Sequence, residues 1–158
     1  MVLMVSRGRQ SYEYGALPGD KVHRTFASMT AFDPVYDMAV FHEIFKQAYN
    51  GPPRQLPADL QKFRSKFLQE ELNEYNEAVE AGDLAKQLDA LEDLVYVALG
   101  TAYLSGFDFR EGWRRVHRAN MNKELANPEG DSRSTRDVKF DIVKPEGWTP
   151  PDHGDLVD

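Results

Sequence analysis

The chain has 158 residues, a length typical of one domain and large enough to bury a hydrophobic core. Its 26 acidic and 19 basic residues give a net charge of -7, which argues against a sequence-independent grip on nucleic-acid phosphates. The lack of cysteine excludes disulfides, zinc–thiolate sites and thiol nucleophiles.

The chain is predicted to contain four helices between two irregular ends. Residues 1–32 form an N-terminal extension with glycine and proline turns, where a short strand or hairpin is expected. Helices are predicted over 33–50, 58–81, 84–105 and 108–126, with breaks at proline and glycine. Residues 127–158 form a proline-rich tail in which the alternating stretch 137–143 indicates a short strand. Four helices with short connections predict an all-α bundle core over 33–126, within a single domain.

The N-terminus lacks the pattern of a signal peptide, because its apolar run is short and its arginines follow that run. The longest apolar stretch, Leu94–Leu104, is shorter than the ~20 residues that a membrane span needs. These features predict a soluble protein of the cytoplasm, or of the host cytoplasm if the source is viral.

The second predicted helix carries several acids and no base between residues 67 and 83. At about 100° per residue, its main apolar face is expected to comprise Leu68, Leu72, Tyr75 and Val79. The acids on the opposite side, interpreted as solvated surface, are Glu70, Glu77 and Glu80. Glu71 and Glu74 differ because they border the apolar face, in a row with Phe67 and Ala78. These two acids are the ones predicted to have a function.

The third predicted helix has a matching row, in which Asp89 and Asp93 are followed by Tyr96 and Gly100. The stretch Leu94–Leu99 is apolar on all sides and is expected to be buried. A buried carboxylate needs a cation or a proton, and no Lys or Arg lies between Lys86 and Arg110, so no partner is expected from this helix.

If the two rows face each other, four acids form a cage: Glu71, Glu74, Asp89 and Asp93. Oxygen-only ligands suit Mg²⁺ or Mn²⁺. Glu92 points about 100° away from Asp93 and is kept as an outer ligand only. The alternative is that these acids form structural ion pairs with Lys or Arg elsewhere in the chain.

The segments "EELNEYNEA", "LDALEDLVYVALGTAYLSGFD" and "VHRANMNKE" follow one another in the chain. Together they resemble the all-α nucleoside triphosphate pyrophosphohydrolases, the MazG-like and phosphoribosyl-ATP pyrophosphohydrolase-like family. The resemblance covers residues 35–126, and the tail "VKPEGWTPPD" is similar to that of one bacterial and phage branch. It implies a MazG-like four-helix core that hydrolyses a nucleoside triphosphate to a monophosphate and pyrophosphate. It also implies two or three Mg²⁺ or Mn²⁺ ions per site, and a homodimer or homotetramer.

The family pattern places Glu-x-x-Glu on one helix and Glu-x-x-Asp on the next. Glu71 and Glu74 match the first pair, and Asp93 matches the final acid. Ala90 stands where the second glutamate is expected, so Asp89 is predicted to replace it. Glu71 or Glu74 is the candidate for positioning or deprotonating the attacking water.

Asn120 and Lys123 are three residues apart on the fourth predicted helix and can reach one ligand. The resemblance assigns them to the phosphates or the sugar, and the alternative is an ordinary surface position. The remaining substrate-binding candidates are Phe41, His42, Arg64 and Tyr96. The first two fit a wall for the base, although Phe41 equally fits a plain core residue. Arg64 is expected either to contact phosphate or to pair with a neighbouring acid.

No residue pattern encodes the preferred base. The phage-like branch includes MazZ-like enzymes that remove dGTP and GTP, which weakly favours guanine nucleotides. The alternatives are phosphoribosyl-ATP, a pyrimidine dNTP or a damaged nucleotide. A non-catalytic acidic helical binding module is the alternative from another class, and the missing glutamate at position 90 is the feature that favours it.

Overall fold

The computed structural model describes residues 32–158, in which four helices follow in chain order. They are α1 (Pro34–Ile44), α2 (Ala58–Glu80), α3 (Leu84–Leu104) and α4 (Phe109–Met121). In the tail, strand β1 (Glu124–Leu125) pairs antiparallel with β2 (Ile142–Val143), and a short 3-10 helix covers Gly154–Leu156. The predicted all-α fold is confirmed. The strand or hairpin predicted near the N-terminus falls on residues 1–31, outside the described residues, and the single-domain organisation stays a prediction.

Helix α3 is the central element because it packs against both α1 and α2. Side chains bond across the α2–α3 contact at both ends of the helix pair. Near the connecting turn, Gln87 Nε2 donates to the Ala78 carbonyl oxygen at 3.3 Å. At the far end, the Arg64 side chain donates to Val97 and Thr101. These bonds fix the register of α2 along α3.

Three helices end with the same backbone motif, a residue in the left-handed region followed by hydrogen bonds to carbonyls three and five residues back. Gly82 (φ 67°) ends α2 and Gly106 (φ 72°) ends α3. At the end of α1 the left-handed residue is Lys46 (φ 57°), and the Gln47 amide donates to the His42 carbonyl oxygen at 2.8 Å. Because a lysine replaces the usual glycine, the sequence has no stop signal there. The prediction that the first helix continues to residue 50 is therefore wrong.

The fourth helix is also shorter than predicted. Asp108 caps it by accepting a hydrogen bond from the Glu111 amide at 3.1 Å, as its position before the helix suggests. Its end is at Met121 and not near residue 126, because Glu124–Leu125 leaves the helix to pair with β2. The predicted strand over 137–143 is confirmed only for its last two residues.

The face of α2 that packs on α3 is not the face with the largest apolar side chains. Leu72 and Val79, predicted to be core, are 42% and 46% exposed, whereas Ala78 is 3% exposed. The small alanine lets the helices approach closely, and this contact outweighs the larger apolar row. In α3, the expected burial of Leu94–Leu99 on all sides is wrong as well, since Val95 is 55% exposed. Even so, no helix among the described residues has the length and apolarity to span a membrane.

Candidate metal and nucleotide site

Glu71 is the most enclosed of the predicted metal ligands, at 7% exposed. Burial raises the pKa of its carboxyl group above the ordinary value, and nearby carboxylates raise it further. In order of effect these neighbours are Glu74, Asp93, Glu70 and Asp89. All four of these neighbouring charges are negative, so Glu71 is a buried acid among acids. Such a group is stabilised by a proton or by a cation.

The two predicted carboxylate rows are neighbours where α2 packs against α3. Asp89 and Asp93 of α3 both act on Glu71 of α2, which requires the rows to lie side by side. Asp89, Asp93 and Glu74 are exposed, so the acid row opens to solvent beside the buried Glu71. Glu92 is exposed too, and it is not among the acids named above that raise the pKa of Glu71. The electrostatics therefore favour Asp89 as the replacement for the expected glutamate.

Among residues 32–158, no three carboxylate or imidazole groups converge closely enough to hold a metal ion as they stand. The predicted four-acid cage is therefore not preassembled in this structure. Its chemistry nevertheless fits a hard divalent cation, because the donors are all carboxylate oxygens. The buried, uncompensated Glu71 supplies the energetic reason for a cation to bind, and the exposed acids beside it have room to turn towards one.

Position 90, where the family pattern has a glutamate, is occupied by a packed alanine. Ala90 is 3% exposed, as is Ala78 on the neighbouring helix. A glutamate at position 90 would lie on the buried face of α3, whereas Asp89 lies on the exposed face. The departure from the pattern thus coincides with a close contact between the helices.

Arg64 contacts α3 and forms no ion pair with an acid in the described part of the chain. Its guanidinium is buried, with Nε donating to Thr101 Oγ1 at 3.0 Å and Nη2 donating to the Val97 carbonyl oxygen at 2.6 Å. Burial lowers its pKa from the ordinary value. The sequence identified Arg64 as a candidate but not this structural role, because a helical period does not reveal which carbonyls lie opposite.

His42 is an interior residue, 2% exposed, whose ring stacks on Tyr103 with centroids 4.8 Å apart. Its Nδ1 is buried with no hydrogen-bond partner among residues 32–158. Burial, and then the charge of Arg64, lower the pKa of the imidazole, which therefore stays neutral at pH 7. A Cβ added at Gly100 would lie 3.0 Å from Arg64 Nη2 and 3.3 Å from His42 Nε2. Gly100 thus makes room for both side chains. Because the His42 side chain is buried, it offers no exposed surface for the base-binding wall that was predicted for it.

Phe41 and Tyr96 form an aromatic pair that reaches the surface. Their rings meet edge to face with centroids 5.5 Å apart, joining α1 to α3. Phe41 is half-buried and Tyr96 is 41% exposed. Because Tyr96 follows Asp93 by three residues on the helix, an aromatic surface lies close to the acid row.

The structure places Asn120 in the last turn of α4 and Lys123 beyond the helix end. Asn120 is exposed and Lys123 is half-buried. The charges that act most strongly on Glu71 come from α2 and α3 and do not include Lys123. Near Lys123 lie Trp148 and Lys144, which the sequence reasoning did not single out. Their only signal was their place in the tail motif "VKPEGWTPPD".

Residues 38–120 match the model of a protein family described as phosphoribosyl-ATP pyrophosphohydrolase. The matched part covers more than half of the chain and includes both acid rows, the aromatic pair and Asn120. Lys123 and the tail lie outside it. No curated protein matches the chain significantly.

Proposed function

The chain belongs to the phosphoribosyl-ATP pyrophosphohydrolase family, and we propose that it hydrolyses a nucleoside triphosphate to a nucleoside monophosphate and pyrophosphate. Membership makes it a nucleotide pyrophosphohydrolase, a hydrolase of phosphoric anhydrides, and favours an enzyme over a non-catalytic binding module. The observation that carries the proposal is Glu71, a buried acid whose neighbouring charges are all acidic. Free nucleotides as substrates agree with the expected cytoplasmic location.

Glu71, Glu74, Asp89 and Asp93 are the proposed ligands of divalent cations. Pyrophosphohydrolases of this kind generally use such ions. When bound, Mg²⁺ or Mn²⁺ supplies Lewis-acid polarisation of the phosphate oxygens and neutralises the leaving pyrophosphate. The acids themselves repel a triphosphate, so the row selects for substrate accompanied by two or three cations.

Glu71 or Glu74 is proposed to hold the attacking water and accept its proton. The raised pKa of Glu71 brings its basicity closer to neutral pH, which favours proton acceptance during the reaction. The water attacks the α-phosphorus, and pyrophosphate leaves without a covalent intermediate. The Phe41–Tyr96 pair offers a surface for the base, and Asn120 and Lys123 are proposed to hold the phosphates or the sugar.

A homodimer or homotetramer is proposed because the described residues leave much apolar surface open. Leu72, Val79 and Val95 are all more than 40% exposed on α2 and α3. Contiguous apolar surface of this kind usually marks an interface. In this proposal, a second copy brings its own Asn120 and Lys123 to the acid row.

Pyrophosphate release from all eight common NTPs and dNTPs, with Mg²⁺ and with Mn²⁺, tests this function. We expect monophosphate and pyrophosphate, with guanine nucleotides preferred. Equal rates for every base would contradict the guanine preference, and diphosphate with free phosphate would contradict the reaction. Phosphoribosyl-ATP is the second candidate because the matching family is described by that substrate, and it belongs in the same assay.

A further inference from the structure

Two lysines flank the small β ladder that joins the tail to α4. Glu124 pairs with Val143, and Lys123 and Lys144 are the next residues beyond this last pair, so the antiparallel register brings them to the same end of the ladder. Like charges directly opposite each other on neighbouring strands destabilise the pairing. This arrangement therefore needs a compensating anion or a functional reason.

Both ammonium groups lie over the same aromatic ring. Lys144 Nζ is 4.7 Å, and Lys123 Nζ 5.6 Å, from the centroid of the Trp148 ring. The indole Nε1–H donates to the Ala119 carbonyl oxygen at 2.9 Å, which ties the ring to the last turn of α4. Cation–π attraction holds the two lysines in place but leaves their charges in full.

Neither lysine forms an ion pair with a described residue, although the chain has a net charge of -7. Acids of the same region are paired with arginine instead. These pairs are Glu124–Arg133 at 3.1 Å, Asp141–Arg136 at 3.2 Å and Asp155–Arg115 at 2.5 Å. The two lysines thus make a local concentration of positive charge in an acidic protein.

We propose that Lys144, Lys123 and Trp148 form a binding site for the polyphosphate chain of the nucleotide, with Lys144 as a phosphate-binding residue supplied by the tail. The inference rests on the proposed function for the identity of the ligand. A phosphate chain between the two ammonium groups removes their repulsion and gives each lysine a charge-assisted hydrogen bond. Asn120 is exposed and lies close to Lys123 along the chain, since the Lys123 amide donates to the Asn120 carbonyl oxygen at 3.1 Å, and its side chain adds an amide donor.

The site can be observed without turnover because the chain has only two tryptophans. Replacing the exposed Trp113 (Trp113→Phe) leaves Trp148 as the sole indole. Titration with inorganic tripolyphosphate, in the absence of divalent cations, should then change the indole fluorescence saturably, because the ammonium groups move from the ring to the phosphates. Leaving out the cations keeps the acid row from taking part. A flat titration overturns the proposal, and so does sulfate binding as tightly as tripolyphosphate.

In that background, Lys144→Gln should weaken tripolyphosphate binding about tenfold, the loss expected for one charge-assisted bond. Lys144→Arg should keep the affinity within about threefold, since the charge is retained. Lys139→Gln, at an exposed lysine of the same tail, is the matched control and should bind normally. The melting temperature of Lys144→Gln should stay unchanged or rise, because a like-charge contact is removed. Equal affinity in Lys144→Gln and its parent overturns the proposal.

Steady-state kinetics separate this inference from the proposed function. With the preferred nucleotide, Lys144→Gln should raise KM about tenfold and leave kcat nearly unchanged, because it removes binding and not chemistry. If no pyrophosphate is released but tripolyphosphate still binds through Lys144, the proposed function fails and the lysine site stands. If pyrophosphate is released and Lys144→Gln changes neither KM nor tripolyphosphate binding, the lysine site alone fails.

Discussion

Glu71 combines two properties that a single carboxylate rarely has, burial and an acidic neighbourhood. Its raised pKa means that the folded state favours the protonated carboxyl group. The contribution of Glu71 to the free energy of unfolding is therefore complete below its ordinary pKa of 4.5 and is lost as the pH rises through the raised pKa. Near neutral pH the ionised group therefore destabilises the fold. A cation bound beside it reverses that effect, which couples metal binding to stability as well as to activity.

Asp89 is predicted to replace the missing glutamate of the family pattern, because it is among the acids named as raising the pKa of Glu71 and Glu92 is not. Asp89→Asn should lower kcat/KM for the preferred nucleotide by about tenfold or more, since one donor to the cation is lost. Glu92→Gln is the matched control and should change it less than about threefold. If steady-state assays showed a larger loss of kcat/KM in Glu92→Gln than in Asp89→Asn, Glu92 and not Asp89 would be the ligand.

The buried imidazole of His42 should make stability depend on pH. The pKa of the His42 imidazole is lowered below 6.5. The free energy of unfolding should therefore be highest above pH 6.5 and should decrease as the pH falls from there towards the lowered pKa. The melting temperature should therefore fall more between pH 7 and pH 5 in the wild type than in His42→Phe, which keeps an aromatic ring on Tyr103 and cannot be protonated. Parallel pH profiles for the two proteins would show that His42 does not titrate in this range.

At the scale of elements, Arg64 holds α2 in register on α3. Arg64→Met should reduce the free energy of unfolding by about 2–4 kcal/mol, because two buried hydrogen bonds from the charged guanidinium to α3 are lost. Lys62→Met, at an exposed position of the same helix, is the control and should change it by about 0.5 kcal/mol or less. Urea denaturation measures both, and equal losses would contradict the role of Arg64.

The helices could be predicted from the sequence wherever a local signal marks them. Gly82 and Gly106 identify the ends of α2 and α3, whereas Lys46 ends α1 in the same conformation without a glycine. The spacing of Glu71 with Glu74, and of Asp89 with Asp93, predicted two acid rows, and their role as metal ligands stays a prediction. Which face of α2 is buried was not predictable, because helical periodicity favours large apolar side chains and the actual contact uses Ala78. The Lys123–Lys144 pair depends on a register between distant segments, which no local pattern encodes.

At the scale of the whole molecule, the exposed apolar side chains of α2 and α3 predict self-association. Light scattering at micromolar concentration should give the mass of a dimer or tetramer. Val95→Glu should shift it towards the monomer, because Val95 is 55% exposed in the single chain and a charge there disfavours an apolar interface. The circular dichroism spectrum of this variant should remain helical, because the substitution should leave the fold intact. A monomeric mass for the wild type would contradict the prediction.

The most direct test of a metal-dependent pyrophosphohydrolase site on α2 and α3 is chromatographic analysis of the products from the preferred nucleotide with Mg²⁺. We expect monophosphate and pyrophosphate, no turnover after chelation, and a loss of about 10²-fold or more in Glu71→Gln, as for other groups that stabilise charge in the transition state. Glu77→Gln, on the exposed face of the same helix, should retain activity within a few-fold. Full activity with chelator, or equal losses in Glu71→Gln and Glu77→Gln, would contradict this assignment of the site.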